Sequence, residues 1–220
     1  MMIFILPLLL LCGCSPPEHS KLELLSPYEG SDGQYLHAIQ GNAFAAYSYE
    51  LVEGIAPVIH YAVFLNGGLS ETGELLKVDT SHLAITGKLA LALDLPPAES
   101  GGAVRIKAST QFRDYRSAAG FSSLISAKHD LHDVALGAVY RTYAVSQFGK
   151  DDAEGGALQT GGTYPLLGYF SNRTGHADAI RVPEGHADSF IESAKTCDAA
   201  ILFYLDFYEY TKASSPENSE

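Results

Sequence analysis

The sequence contains no tryptophan and few cationic side chains. Its 14 Lys and Arg stand against 26 Asp and Glu, which gives a net charge of −12 at neutral pH. Binding to nucleic acid depends on patches of Lys and Arg that contact phosphates, so this balance argues against a nucleic-acid partner. The same sign argues against a chain that lies flat on anionic lipid. It suits a basic protein partner or divalent cations, and simple solubility also accounts for it.

The common catalytic signatures are missing as well. The chain has no Gly-x-Ser-x-Gly elbow, no Ser-x-x-Lys motif and no glycine-rich phosphate loop. It also lacks the His-Glu-x-x-His and paired Cys-x-x-Cys patterns of zinc proteins. We therefore expect a protein that is not an enzyme and holds no cofactor, with a bound divalent metal such as zinc as the alternative.

The N-terminal apolar run is too short to cross a bilayer. Met1 to Leu11 reads MMIFILPLLLL, about ten apolar residues where roughly twenty are needed. That length suits the hydrophobic core of a secretory signal. Leu11-Cys12-Gly13-Cys14 follows. It resembles the lipobox of bacterial lipoproteins, in which an apolar residue, a free position and a small residue precede the cysteine that becomes the mature N-terminus.

The resemblance implies that residues 1–13 are a signal peptide and that Cys14 is lipidated. Several acyl chains together hold a protein stably on a membrane, whereas one chain does not. Because Ser15 rather than aspartate follows the cysteine, the resemblance implies the periplasmic face of the bacterial outer membrane. Cys197 is then the only unmodified thiol, which leaves no internal disulfide. An ordinary secretory peptide and a short buried apolar segment are the alternatives.

The period of the apolar residues predicts a mainly β protein. Residues 14–32 are expected to be a tether, 33–212 a single β-rich domain and 213–220 a disordered tail. In "GKLALALDL" and "AVRIKASTQFR" apolar and polar residues alternate, which is typical of strands with one solvated face. Gly41-Asn42 and Asn66-Gly67-Gly68 are expected to be hairpin turns. We predict about six strands over 33–114, in an antiparallel β-sandwich or open barrel with one or two short helices.

The second half of the chain carries mixed signals. A helix is predicted near 122–136 and a strand near 137–148. "TYPLLGYF" and "AILFYLDFYEY" are expected to be strands. Between them, Ser189-Phe190-Ile191-Glu192 matches a capping box, which predicts a short helix that ends near Lys195.

Histidine and aspartate recur together, which is the donor set of zinc and other first-row metals. The motif Gly-His-Ala-Asp occurs at 175–178 and again at 185–188, and "HDLHD" spans 129–133. The candidate ligands are His129, His132, Asp133, His176, Asp178, His186 and Asp188. The pair of histidines at 129 and 132 shares one face only if this segment is helical. Helix caps and turns explain the same residues equally well.

Two features are candidates for binding a protein partner. Tyr47 and Tyr49 share a strand face, and so do Tyr204, Tyr208 and Tyr210 in the last predicted strand. Rows of tyrosine serve protein or glycan contacts, although packing within a sheet is the alternative. Asp151, Asp152 and Glu154 form an acidic loop that could meet a basic partner.

Three functions remain open at this point. The first is a membrane-anchored, acidic, non-catalytic periplasmic lipoprotein that binds a protein partner in an inhibitor, immunity or assembly role. The second is a metal-dependent hydrolase that uses the histidine and aspartate clusters. The third is a structural lipoprotein of the envelope.

Overall fold

The structure is a computed structural model that describes residues 19–25, 43–78, 85–95, 103–114, 123–132, 140–146, 157–158, 161–172 and 187–209. Within these ranges there are eleven strands and one helix, and neighbouring strands are antiparallel throughout. The lipobox, Gly41-Asn42, the acidic loop at 151–154 and the predicted tail lie outside the described residues.

Six strands form the first sheet, called sheet A here, in the order β7-β6-β5-β2-β1-β9. Their bounds are β1 Ser20–Leu24, β2 Ala43–Leu51, β5 Ile85–Asp94, β6 Val104–Asp114, β7 Ser123–Leu131 and β9 Ala157–Leu158.

Five strands form sheet B, in the order β4-β3-β11-β10-β8. Their bounds are β3 Ile55–Leu65, β4 Gly68–Lys77, β8 Tyr140–Val145, β10 Thr163–Asn172 and β11 Ala199–Glu209. The helix, α1, spans Ala187–Lys195 and packs on β10 and β11.

The main core lies between the two sheets. Alternate residues of sheet A, such as Leu89, Leu91 and Leu93, meet Ile201 and Phe203 of sheet B in one buried cluster. Burial of this apolar area is the main source of stability for a β-sandwich. The predicted mainly β, antiparallel architecture is confirmed, with the strands of 33–114 divided between two sheets.

The alternation predicted for β6 is confirmed in full. Val104, Ile106, Ala108, Thr110 and Phe112 are buried, whereas the intervening positions reach the surface. In β5 the prediction of a solvated face is wrong at its centre, because Ala90 and Ala92 are buried like the leucines beside them. Ala90 packs with Ala46 of β2, with Phe44 and Leu25 against them. Two buried layers therefore flank this part of sheet A.

The predicted turn at Asn66 joins β3 to β4 directly. Leu65 pairs with Gly68, so Asn66 and Gly67 are the two turn residues. Their φ angles of 50° and 74° place both in the left-handed region that such tight hairpins need. This prediction is confirmed.

The helix predicted near 122–136 is wrong where the structure describes the segment, because 123–131 is strand β7. It pairs with β6 from Phe112↔Ser123 to Val104↔Leu131. Ile125, Ala127 and Leu131 face the core at every second position, and this long-range pairing overrides the weaker helical spacing of the apolar residues. The strand predicted near 137–148 is confirmed as β8.

The predicted tether is also wrong in part, because Ser20–Leu24 is strand β1 of sheet A. Leu22 is completely buried, and Lys21 pairs with Glu50 of β2. A strand of five residues with one apolar face is stable here since it lies between β2 and β9.

The predicted short helix is confirmed, and it does end at Lys195. Its start differs from the prediction, because α1 begins at Ala187 and Ser189 lies inside its first turn. The main-chain carbonyl of Ser189 accepts a hydrogen bond from Ser193 Oγ at 2.8 Å. Ser189 is therefore not the cap of this helix.

Candidate functional site

The outer face of sheet B is covered by α1 along only part of its length. Phe190 and Ala194 of α1 pack on Phe170, Ala200 and Leu202 of the sheet in a second buried cluster. Further along β3 and β11, outward positions change from apolar to polar and aromatic residues. The half-exposed side chains there, together with the exposed Lys77 of the neighbouring β4, define what we call the outer patch: His60, Lys77, Tyr204, Asp206 and Tyr208.

The strand register brings the outer patch together. His60 of β3 stands directly opposite Tyr204 of β11, and its Nε2 lies 3.5 Å from Asp206 Oδ2. Lys77 extends from β4 so that its ammonium nitrogen lies 4.2 Å from the centre of the Tyr208 ring. The Tyr208 hydroxyl donates a hydrogen bond to the Val78 carbonyl at 3.2 Å. The patch therefore combines carboxylate, imidazole and aromatic groups on one surface.

Asp206 is the unusual member of the outer patch. Its Oδ1 atom is buried and accepts no hydrogen bond from any residue that the structure describes. Leaving a buried acceptor without a donor costs about 1–3 kcal/mol, and more for a charged group. Burial and the negative charge of Asp206 also raise the pKa of Tyr204 to about 12. The carboxylate thus has an unused acceptor and sits beside a neutral aromatic ring.

This arrangement fits a cationic side chain better than it fits a neutral ligand. A carboxylate accepts the charge-assisted hydrogen bonds of a guanidinium, and an aromatic face attracts the same cation. Lys77 over Tyr208 already shows one such contact within the protein.

A second polar cluster lies where β4 and β7 approach each other at one side of the sandwich. Glu71 Oε1 accepts a hydrogen bond from the Tyr61 hydroxyl at 2.6 Å and lies 3.3 Å from His129 Nε2. The His129 ring stacks on Tyr61 with 5.2 Å between ring centres. Burial, and then Glu71, raise the pKa of Tyr61 to about 12. These contacts join the two sheets and explain His129 as a structural residue.

The predicted metal cluster is not assembled by the residues that the structure describes. His129 is on the inner side of β7, and His132 lies just beyond the end of that strand. Asp188 is in the first turn of α1 on the other sheet. No group of three or more potential ligands forms within the described ranges. Asp133, His176, Asp178 and His186 lie outside those ranges, so their part of the prediction stays untested.

Tyr47 and Tyr49 are wrong as partner-binding candidates because both are buried between the sheets. The Tyr47 hydroxyl donates a hydrogen bond to the Leu166 carbonyl of β10 at 2.6 Å, which links sheet A to sheet B. The Tyr49 hydroxyl lies 2.7 Å from Thr110 Oγ1. The alternative of sheet packing accounts for both. Asp151, Asp152 and Glu154 are outside the described residues.

The interior near Tyr49 leaves little space for a ligand. A cavity of about 10 Å³ there is lined by apolar groups of both sheets, among them Leu89, Leu205 and Phe207. That volume is roughly what one water molecule needs, and the walls offer it few partners. This cavity is therefore too small for any ligand larger than water.

The sequence predicted some residues of the outer patch and missed others. Tyr204 and Tyr208 were predicted to share a face, and they do. His60 and Asp206 were missed, although each interrupts an apolar strand at an outward position. Only the pairing of β3 with β11 shows that the two residues meet.

No protein-family model, curated protein or solved structure matches this chain. Among the described residues, no helix combines the length and the apolar character needed to span a membrane.

Proposed function

We propose that this chain is a lipid-anchored, non-catalytic lipoprotein of the bacterial outer membrane, facing the periplasm, that binds a basic segment of a protein partner. The lipobox Leu11-Cys12-Gly13-Cys14 supports the anchor. The outer patch supports the binding role.

The observation that carries the proposal is the Asp206 carboxylate. It is held beside His60 and Tyr204, and its buried Oδ1 has no hydrogen-bond donor among the described residues. An arginine or lysine of a partner would donate to the accessible Oδ2 side of this half-exposed carboxylate, while its apolar stem lies against the Tyr204 ring.

The charge of the whole chain supports the same partner. A net charge of −12 attracts a basic protein over distances of about 8–10 Å in physiological salt, and this raises the rate of encounter. Specific binding still needs a local site, and the outer patch is the best candidate within the described residues.

The test is site-specific photocrosslinking in a bacterium that processes lipoproteins. A photoreactive phenylalanine replaces Tyr204, and a second chain carries it in place of Glu192, which is exposed on α1. We expect a discrete protein adduct from position 204 and none from position 192. Asp206→Asn should remove the adduct, whereas Asp188→Asn, a matched change on α1, should leave it.

The anchor is tested in the same cells. The parent chain should incorporate radiolabelled palmitate, and Cys14→Ser should abolish this incorporation. Equal adducts from positions 204 and 192, or an adduct that survives Asp206→Asn, would contradict binding at the outer patch. No incorporation of palmitate into the parent chain, or incorporation that survives Cys14→Ser, would contradict the lipid anchor.

A further inference from the structure

The outer face of sheet A carries a concentration of positive charge in an otherwise acidic protein. Outward positions of β6 and β7 hold four of the chain's 14 Lys and Arg: Arg105, Lys107, Arg113 and Lys128. Among the described residues, Asp130 is the only carboxylate in these two rows, and Asp94 of β5 lies beside them. On β1 and β2 the outward charges are of both signs. The outward centre of β5 is buried, so we call only the outer surface of β6 and β7 the cationic face.

The cationic face places two lysines directly opposite each other. Lys107 of β6 pairs in register with Lys128 of β7, and like charges opposite one another destabilise a sheet. Lys107 also makes an ion pair with Asp94. Arg105 donates to Asp130 at 2.6 Å. This hydrogen bond, together with the charges of Arg105, Lys128 and His132, lowers the pKa of the Asp130 carboxyl. Among the described residues, these ion pairs leave an excess of positive charge on the cationic face.

An exposed apolar side chain lies within this charged surface. Leu124 is 64% exposed and stands opposite Gln111, in the same outward row of β7 as Lys128. A leucine that projects among cationic residues is typical of surfaces that rest on a membrane, where the apolar group enters the headgroup region.

The position of β1 allows the cationic face to reach the membrane. This step depends on the lipid anchor of the proposed function. Ser20, the first residue of β1, is only six residues after Cys14, a maximum span of about 20 Å. β1 lies in sheet A, three strand spacings from β6, which is roughly 14 Å. The anchor and the cationic face can therefore contact one membrane surface together.

We propose that the cationic face of sheet A docks on anionic phospholipid headgroups of the membrane that carries the anchor. Screening limits electrostatic attraction to about one Debye length, so the nearest charges decide which surface is attracted. The net charge of the whole chain is unfavourable for contact with anionic lipid, but the cationic residues are concentrated on this one face. The cationic face binds lipid while the outer patch, on the outer side of sheet B, stays free to meet a partner.

The test measures binding of the full-length chain with Cys14→Ser to vesicles. One set contains phosphatidylcholine alone, and the other contains equal parts of phosphatidylcholine and phosphatidylglycerol. The apolar segment 1–13 contributes equally to the binding of both vesicle types, so the difference in affinity between them reports the effect of lipid charge. We expect roughly tenfold tighter binding to the anionic vesicles, and a loss of this gain as salt is raised.

Matched variants locate the surface. Lys128→Glu should weaken binding to anionic vesicles roughly tenfold, while Lys195→Glu, the same charge change on α1, should leave it unchanged. Leu124→Ser should weaken it several-fold. Lys128→Glu also replaces a like-charge pair with an opposite-charge pair, so the fold should survive, which circular dichroism checks.

Equal binding to the two vesicle types, or binding that does not change with salt, would overturn the proposal. The salt series uses no variant of the cationic face, so it does not depend on whether such a variant folds. Equal effects of Lys128→Glu and Lys195→Glu would overturn the assignment to this face. Binding to soluble dextran sulfate but not to vesicles would replace the membrane with a soluble anionic ligand. Since these vesicles contain no protein and the chain has no acyl group, each result is independent of crosslinking at position 204.

Discussion

At the scale of single residues, buried tyrosines connect separate strands through their hydroxyl groups. Tyr47 joins β2 to β10 through the Leu166 carbonyl, and Tyr61 joins β3 to β4 through Glu71. Burial raises the pKa of Tyr47 well above the ordinary tyrosine value and that of Tyr61 to about 12. These two side chains stay protonated in the folded protein when those of the unfolded chain have ionised.

This difference predicts a loss of stability in alkali. Between pH 10 and 12 the unfolded chain releases phenolic protons that the folded chain keeps, so the free energy of unfolding falls as pH rises. One fully protected tyrosine contributes about 1.4 kcal/mol per pH unit above its unfolded pKa. Urea unfolding at pH 9, 10 and 11 should show this fall, and Tyr47→Phe should make it shallower by about that amount. Parallel curves for the two chains would contradict it.

The candidate site shows what residue-level inference can and cannot provide. Residue type identified Tyr204 and Tyr208 as an aromatic row, because period two places them on one face. The same reasoning also selected Tyr47 and Tyr49. These two tyrosines share one face of β2 as well, but that face is buried between the sheets. Sequence alone does not say which face of a strand is covered, and that depends on the opposite sheet.

At the scale of elements, the hairpin between β3 and β4 is fixed by its contact with the chain at and just beyond the end of α1. Asn66 N–H donates to the Asp198 carbonyl at 2.7 Å, and Gly67 N–H donates to the Cys197 carbonyl at 3.1 Å. A Cβ at Gly67 would also collide with the carbonyl oxygen of Lys195. The turn therefore anchors the chain that follows α1, besides reversing its own strand.

We predict that Gly67→Ala destabilises the protein more than Gly54→Ala does. Both glycines have positive φ, but an added Cβ at Gly54 meets no atom within 4 Å. Gly54→Ala should cost about 1–2 kcal/mol from backbone strain alone. Gly67→Ala should cost roughly 3 kcal/mol or more, because the Lys195 backbone must shift as well. Urea midpoints measured side by side give the comparison, and equal losses would show that the collision relaxes freely.

The elements that the sequence predicted well are those with strong local patterns. β6 alternates along its whole length, and Asn66-Gly67 has the residues that a tight turn demands. β7 and β1 were misassigned because their structure depends on distant partners: β7 on the edge of β6, and β1 on β2 and β9. SLISAKHDL carries only a weak period, and SKLEL alternates over only five residues.

At the scale of the whole molecule, strands that pair are often distant along the chain. β1 lies between β2 and β9, and β3 pairs with β11, the last described strand. β11 holds the centre of sheet B, and its inward residues include Ile201 and Phe203, which are completely buried. Such non-local pairing slows folding to milliseconds or seconds.

Removal of β11 should therefore abolish folding rather than weaken it. A chain that ends after Asp198 lacks the central strand of sheet B, so β3 and β10 each lose one of their two partners. We expect no cooperative thermal transition by circular dichroism. A chain that ends after Lys212 removes only the predicted tail and should melt like the full-length protein. Cooperative melting of the shorter chain would show that sheet B assembles without its centre.

The late position of β11 in the chain also has a consequence for folding during synthesis. During synthesis the N-terminal strands emerge first, yet sheet B stays divided into two separate pairs until the last strand arrives. Every interrupted product would present bare edges of β3 and β10, which are substrates for proteases and chaperones and seeds for aggregation. The topology therefore separates complete chains from interrupted ones, because β11 can pair with β3 and β10 only after translation has passed Glu209.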